Sequence, residues 1–379
     1  MWVSEKVCLD TQAYFESAFE SIKNARRSVV LEMYIFRRDS LGNRMLDLLS
    51  DAAGRGVDVR VIVDSVGSPV FTREFIDTLR RQKISTRVFH PTPRVLDMIN
   101  GASIQRIRGL FVNINKRNHR KLIVVDKTIA FVGSCNLADM HRHWRETAVQ
   151  VRGRGVLDLC YSFELIWARS GFSGTLGARQ LQARLRARRA LSLRRATGGG
   201  SSAVRTNVTR ALRVTHNSQL VSAIERARQR VWITTAYFVP SPVIVSALLK
   251  ATRNGCDVKL LLPGKSDMNL VSYVSRMFYR RLMRAGVEIY EYQPVVLHAK
   301  TLLIDDWMSV GTTNLNHRSF YHDLEVDVVL HQPQSLALLV GQFAEDLSRS
   351  KRVTNDNLFH RSWVEKLGGM LVYPFRRFI

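Results

Sequence analysis

Two stretches of the chain carry the same set of reactive residue types in nearly the same order. The first contains His119, Lys121, Asp126, Ser134 and Asn136; the second contains His298, Lys300, Asp305, Thr312 and Asn314. A glutamate lies 27 residues beyond each histidine, at Glu146 and Glu325. That spacing is shared although the histidine-to-asparagine interval is 17 residues in one copy and 16 in the other. A lone His-x-Lys carries little information, whereas the doubled and extended pattern is very hard to obtain by chance.

These residue types belong together around a phosphodiester. Attack on its phosphorus needs positive charge and hydrogen-bond donors around the non-bridging oxygens. Lys121 and Lys300 supply charge, while Ser134, Asn136, Thr312 and Asn314 supply neutral donors. A neutral imidazole is a nucleophile, and its protonated form is an acid effective near pH 7. Two histidines can therefore divide the work, one attacking phosphorus and one protonating the leaving oxygen. Each ring needs a third group to fix its tautomer, and Glu146 and Glu325 are the candidates.

The elements that must position them follow from the apolar pattern. Leu122 to Val125 and Thr301 to Ile304 are short, largely β-branched and apolar runs, the signature of a buried strand. A histidine and a lysine two apart project from one face of such a strand. The aspartate then closes the strand at a turn, and a second apolar run leads into Gly133 or Gly311. Each motif thus reads as a β-hairpin. The one-residue difference between copies falls between Asp and Gly, where a turn absorbs it.

Both motifs resemble the HKD motif, HxK(x)4D(x)6GSxN, of the phospholipase D superfamily. The first copy fits it fully; the second is one residue short before its glycine and has Thr312 in place of serine. Within the superfamily the chain resembles the bacterial cardiolipin synthases, particularly the shorter type without amino-terminal transmembrane helices. Supporting stretches are Leu31 to Phe36, Gly56 to Asp64, Trp144 to Thr147, Thr235 to Pro240 and Gly311 to Leu315. Glu146 departs from the aspartate that many relatives carry after Trp-Arg. The resemblance implies a catalytic set of His119, Lys121, Asp126, His298, Lys300 and Asp305, with His119 as nucleophile and His298 as general acid. Ser134, Asn136, Thr312, Asn314, Glu146 and Glu325 then bind phosphate or support the site. By position alone, Asp126 and Asp305 read as ties for the hairpin or the neighbouring lysine.

The repeat extends beyond the motifs. Ser28 to Phe36 matches Arg230 to Phe238, and Gly56 to Val63 matches Gly255 to Leu262. Each half alternates strand and helix before its hairpin, which gives an α/β fold of two homologous α/β/α sandwich halves with mixed sheets. The halves are expected to face each other about a pseudo-twofold axis with the active site between them. The expected divisions are a first half at 1–170, a basic flexible linker at 171–205, a second half at 206–355 and a basic, apolar, membrane-associating tail at 356–379.

Composition points to the partner. The chain has 57 Lys and Arg against 32 Asp and Glu, a formal charge of +25. From Ile166 to Ile224 there are 11 arginines and no acid, and Met98 to Val125 is a second acid-free stretch. Such a field attracts a polyanion, either nucleic acid or an anionic bilayer. Apolar residues between the cations (Leu110 to Ile114, for example) and the apolar, aromatic and basic Met370 to Ile379 favour the bilayer. No run approaches the roughly 18 apolar residues of a spanning helix, and the first residues carry no signal-peptide pattern. A peripheral protein of the cytoplasmic membrane face is expected, acting on an anionic phospholipid such as phosphatidylglycerol. The motifs alone do not separate a phosphatidyltransferase from a phospholipase or a nuclease.

Other signals are weaker. Cys8, Cys135, Cys160 and Cys256 show no paired spacing and read as reduced thiols. His141 and His143 lack a companion cluster with ligand spacing and read as surface residues. His317 and His322 read equally as substrate contacts or as an ordinary loop. Tyr34 and Tyr237 occupy equivalent repeat positions and read as strand core. Glu32, an acid inside an apolar strand, is a candidate for a site role. Neither a metal nor a cofactor is expected, because the lysines and neutral donors already offset the phosphate charge. Activity is expected to survive exhaustive chelation; loss on chelation that zinc or magnesium specifically restores would refute this reading.

Overall fold

The computed structural model describes residues 2–91, 116–170, 203–356 and 363–375. In the first half the strands are β1 (Trp2–Cys8), β2 (Ser28–Met33), β3 (Asp58–Asp64), β4 (Ile84–Phe89), β5 (Leu122–Val125), β6 (Ile129–Gly133) and β7 (Ala148–Gly153). They form one mixed sheet of order β1-β7-β6-β5-β2-β3-β4. Helices α1 (Thr11–Lys23), α2 (Ser40–Gly54) and α3 (Arg73–Arg81) alternate with them, and α4 (Gly155–Trp167) follows.

The second half repeats the plan. Its strands are β8 (Val204–Thr206), β9 (Arg230–Thr234), β10 (Phe238–Val239), β11 (Asp257–Pro263), β12 (Glu288–Tyr292), β13 (Thr301–Ile304), β14 (Trp307–Gly311), β15 (Leu315–Asn316), β16 (Val326–Leu330) and β17 (Ser350–Arg352). The main sheet has the order β17-β12-β11-β9-β13-β14-β16-β8. Without β17 this is the first sheet's order strand for strand. The helices are α5 (Arg210–Arg226), α6 (Pro242–Arg253), α7 (Asn269–Arg284), the short α8 (His317–Tyr321), α9 (Pro333–Ser348) and α10 (Trp363–Val372). The strand Val204–Thr206 belongs to this sheet, although the charge pattern groups its first two residues with the linker. Most of the basic linker, the Leu110 to Ile114 stretch and the last residues of the tail lie outside the described residues.

The apolar strands are continuous because both of their faces are buried. In β5, Leu122 and Val124 enter a core shared between the halves, while Ile123 and Val125 enter the core under α1 and α2. In β13, Leu303 enters the shared core and Leu302 and Ile304 the second half's own core. The shared core also takes in Phe163 of α4 and Phe343 of α9. Trp2 crosses the join, its indole N–H donating to the Val329 carbonyl at 2.8 Å. The halves are therefore fused by apolar packing, not merely juxtaposed.

Both motifs form the expected hairpins, β5–β6 and β13–β14. Val125 pairs with Ile129 across three loop residues, whereas Ile304 pairs with Trp307 across two. The one-residue discrepancy in the motif is this turn. Gly133 and Gly311 are needed at the other end, because a Cβ there would meet the backbone of Ala148 at 2.4 Å or of Asp327 at 2.5 Å.

Asp126 and Asp305 sit in these turns with φ of 52° and 50°, at the end of the strand away from the motif histidine. The Asp126 carboxylate accepts the backbone N–H groups of Arg26, Arg27 and Ser28. Asp305 does the same for Arg228, Gln229 and Arg230. Each aspartate ties the hairpin tip to the start of the neighbouring strand, and neither touches its lysine or lines the cleft described below. We expect Asp126→Ala to cost about 1–3 kcal/mol of stability from these lost bonds. Calorimetry should show a lower melting temperature, with kcat at a temperature well below the transition close to that of the unaltered chain.

Candidate active site

The site is assembled by two short backbone bridges between the halves. Arg117 and Asn118, just ahead of His119, run beside Leu324: the Leu324 N–H donates to the Arg117 carbonyl at 2.9 Å and the His119 N–H to the Leu324 carbonyl at 3.0 Å. In the other copy Val296 and Leu297 run beside Arg145, with the Arg145 N–H on the Val296 carbonyl and the His298 N–H on the Arg145 carbonyl, both at 2.9 Å. Leu324 precedes Glu325 and Arg145 precedes Glu146. Each bridge therefore lays a histidine beside the glutamate of the opposite half.

The side chains complete this crossed arrangement. His119 Nδ1 lies 3.1 Å from Glu325 Oε2, and His298 Nδ1 lies 2.7 Å from Glu146 Oε1. Each carboxylate is placed to accept an Nδ1–H, so Nε2 carries the lone pair when the ring is neutral and a second proton when it is charged. The glutamates are braced in turn. Glu325 accepts from the Thr312 and Ser319 hydroxyls at 2.5 and 2.6 Å. Ser134 exchanges bonds with the Thr147 backbone beside Glu146. Ser134 and Thr312 are both fully buried, Thr312 bonded to Glu325 directly and Ser134 to the backbone of the residue after Glu146. Of the four neutral donors, Asn136 and Asn314 line the cleft.

Lys121 and Lys300 are buried beneath the histidines, each ammonium donating to the carbonyl of its own motif's histidine at 2.8 and 2.5 Å. Lys121 also lies 5.3 Å from the Tyr34 ring centre. Burial drives the charged forms down: Lys300 falls to about 8, and His119 and His298 both lie below the usual imidazole range. The two glutamates differ. Burial pushes the Glu325 carboxyl up despite the hydroxyls that bond to it. Glu146 also feels burial, but His298 and Lys300 outweigh it and hold the group at about 2.

The cleft has a volume of about 380 Å³. His119 and His298 line it together with Tyr34 and Tyr237, whose ring centres lie 5.1 and 6.2 Å from the respective histidines. Their apolar neighbours suggest strand core, but both tyrosines stand just past the ends of β2 and β9, where the chain leaves the sheet. Their equivalence in the repeat was the available signal. His141 is not a surface residue: it is buried, lines the cleft and stacks on Trp144 at 3.9 Å. Trp144 meets the His298 ring edge-on at 5.4 Å. Arg318, paired with Asp323, forms another wall. His317 packs on Tyr321 at 4.4 Å and near His322, and neither histidine lines the cleft.

Glu32 acts one step removed from the cleft. It is fully buried, accepts from Asn118 Nδ2 at 2.7 Å and pairs with Arg120 at 3.2 Å, fixing the residues on either side of His119. Arg145 is anchored similarly, with its guanidinium on Asp346 of α9 at 2.9–3.1 Å. All four cysteines are free thiols. Among the described residues no group of three or more His, Cys, Asp or Glu could hold a metal ion, and no helix is long and apolar enough to cross a membrane.

Comparison with known proteins gives this geometry its family. A model described as "Cardiolipin synthase, PLD-like domain" matches residues 19–167 and again 220–347. The chain is 31% identical over 369 residues to a cardiolipin synthase of Alkalihalophilus pseudofirmus, and 31% identical over 366 residues to one of Halalkalibacterium halodurans. Each alignment covers 94% of this chain and 69% of the relative. The fold is also that of a phosphatidylserine synthase from Haemophilus influenzae, with a TM-score of 0.69 at 12% identity, covering 98% of this chain and 92% of the other. The protein is an enzyme of the phospholipase D superfamily. Within it, the chain belongs to the cardiolipin synthase family of PLD-like proteins.

The crossed pairs predict a pH signature. Ionised Glu146 favours the imidazolium form of His298, so Glu146→Gln lowers the pH at which that ring loses its proton. If His298 acts as an acid, the alkaline limb of the kcat profile moves to lower pH in the variant. An unmoved limb would place the titrating acid elsewhere.

Proposed function

We propose that the enzyme transfers a phosphatidyl group from one phosphatidylglycerol to another, forming cardiolipin and releasing glycerol through a phosphohistidine. The observation that carries this reading is the pair of crossed His–Glu couples facing one cleft. Burial keeps His119 neutral, and Glu325 holds its Nδ1–H, so Nε2 attacks phosphorus. A P–N bond forms, the P–O bond to glycerol breaks, and His298 gives its proton to the departing oxygen. The second lipid's hydroxyl then attacks phosphorus and returns a proton to His298. The P–N bond breaks and free His119 is regenerated. Lys121 and Lys300 offset the developing charge, and an arriving phosphate anion favours their charged forms.

The glutamates support this order of roles. Glu146 stays an ionised carboxylate, as the partner of a histidine that must carry a proton should. Glu325 already accepts two hydroxyls and is pushed upward by burial, which suits a ring that reacts neutral. Transfer over hydrolysis is favoured by the apolar residues of the cleft wall, including Ile35, Val66, Met268 and Val271, because a lipid hydroxyl must outcompete water. The relatives named cardiolipin synthase favour the same choice of acceptor.

Binding to an anionic bilayer fits the surface beside the cleft. Leu367, Met370 and Leu371 are exposed on one face of α10, while Gly368 and Gly369 on its opposite face approach Tyr273 and Met277 of α7. Leu270 and Met277 of α7 are exposed as well, and Met268 is both exposed and part of the cleft wall. Arg280, Arg281 and Arg284 are exposed on the same helix. Each cation close to an anionic surface contributes about 1 kcal/mol.

Purified enzyme given labelled phosphatidylglycerol should release glycerol and form cardiolipin, with phosphatidic acid a minor product. Phosphatidic acid as the main product would favour a phospholipase, and cleavage of single-stranded DNA without lipid turnover would favour a nuclease. His119→Ala and His298→Ala should each lower turnover by several orders of magnitude; label trapped on His119→Ala instead of on His298→Ala would reverse their roles. The paired substitution Met370→Asp and Leu371→Asp should weaken binding to anionic vesicles roughly tenfold. Raised salt should weaken it further, because exposed charges are screened over about 10 Å at 0.1 M. Equal binding to neutral and anionic vesicles at every salt concentration would refute the surface.

A further inference from the structure

His141 breaks the symmetry of the cleft. The histidines, the tyrosines beside them, the motif asparagines and the crossed glutamates all occur as pairs, one member from each half. Five residues beyond the motif asparagine, however, the first half has His141 and the second has Ser319. The Ser319 hydroxyl is committed to Glu325 at 2.6 Å. His141 is 3% exposed and lines the cleft, and its buried Nδ1 has no hydrogen-bond partner among the described residues. A buried polar group without a partner costs free energy, so its placement calls for a ligand.

The ring is held firmly in place. It stacks on Trp144 at 3.9 Å with its centre 6.4 Å from that of His298. Its turn is fastened to the start of α2. Asp139 accepts from the Ser40 N–H and hydroxyl at 2.8 and 2.7 Å, and the Asp139 N–H donates to Asp39 at 2.7 Å. No carboxylate bonds to either His141 nitrogen, in contrast to His119 and His298. Burial and the neighbouring His298 charge lower His141 to about 4, leaving a neutral imidazole at pH 7 that can donate from one nitrogen and accept at the other.

Resting on the transferase reading above, we propose that His141 binds the hydroxyl-bearing headgroup of the acceptor lipid and directs one oxygen toward the phosphohistidine on the His298 side. The two half-reactions have different demands. Departure of glycerol needs only a proton, whereas attack by a lipid alcohol in competition with water needs that alcohol held in place. A neutral imidazole beside His298 supplies the hold without adding a charge that would compete for the phosphate. The incoming hydroxyl then gives its proton to His298 as its oxygen bonds phosphorus and the P–N bond breaks. Trp144 gives the flat wall that keeps the imidazole in one orientation.

The test is the partition between products, which does not depend on the total rate. Vesicles of phosphatidylglycerol with labelled acyl chains are given to the unaltered enzyme, to His141→Phe and to His141→Gln, and cardiolipin and phosphatidic acid are resolved. Phenylalanine keeps the stack on Trp144 and removes both nitrogens. It should lower the cardiolipin-to-phosphatidic acid ratio roughly tenfold, the effect of one lost positioning hydrogen bond. Glutamine restores a donor and an acceptor and should recover part of the ratio. If His141→Phe does not fold, a His141→Gln ratio that rises toward the unaltered value as acceptor lipid is raised supports the proposal, and an insensitive ratio overturns it. A ratio unchanged in His141→Phe overturns it, as does a fall of both products in proportion, which marks a purely structural residue. Phosphatidic acid as the sole product of the unaltered enzyme would instead remove the transferase reading, and this proposal with it.

Discussion

Everything at the active site depends on a carboxylate reaching an imidazole from the opposite half of the chain. His119 and Glu325 are separated by 206 residues, and His298 and Glu146 by 152. The contact is imposed by the backbone: single bridges at Asn118–Leu324 and Arg145–Leu297 bring the two segments into register. The shared apolar core then holds the register, with strands from both sheets and α4 and α9 contributing to it. A shift of one half by a fraction of a hydrogen-bond length would be felt at both histidines at once. The apolar core shared by the halves thus has a chemical role as well as a stabilising one, because it fixes two hydrogen bonds within working distance.

The site concentrates charge where water is scarce. Two lysines, two histidines and two glutamates are almost wholly buried within one region. Such groups are costly to bury unless paired and hydrogen-bonded. Here each lysine bonds a carbonyl, each glutamate bonds a histidine, and threonine and serine hydroxyls fill positions around the carboxylates. Burial lowers the affinity of the lysines and histidines for protons, and neighbouring lysine charge adds to the effect at Lys121 and His119. An arriving anion favours the charged forms that burial opposes.

Much of the fold was legible in the sequence because its signals are local. An apolar run between Lys and Asp marks a strand buried on both faces, and the aspartate marks the turn. The repeated order of strands made two similar halves readable from Ser28 and Arg230 onward. The site was less legible where long-range contacts decide. His141 is flanked by exposed Met140 and by Arg142 and His143, so it reads as surface; only its stack on Trp144 and the anchoring of its turn to α2 bury it. Ser134 and Thr312 have the right type to bind phosphate. Which way a hydroxyl points depends on where Thr147 and Glu325 lie, and no local pattern records that. Tyr34 and Tyr237 sit among apolar neighbours and look like core until the strand ends are placed.

Crossed pairing also constrains how such a chain can have arisen and how it can be divided. A polypeptide carrying one half alone would hold a histidine without its carboxylate and a carboxylate without its histidine. It would become competent only by meeting a second copy, so a single-half form of this architecture has to be a dimer. Joining the halves in one polypeptide replaces a concentration-dependent encounter with a fixed local one. It also frees the two copies to diverge, so that Ser319 in one half and His141 in the other no longer need to serve the same purpose.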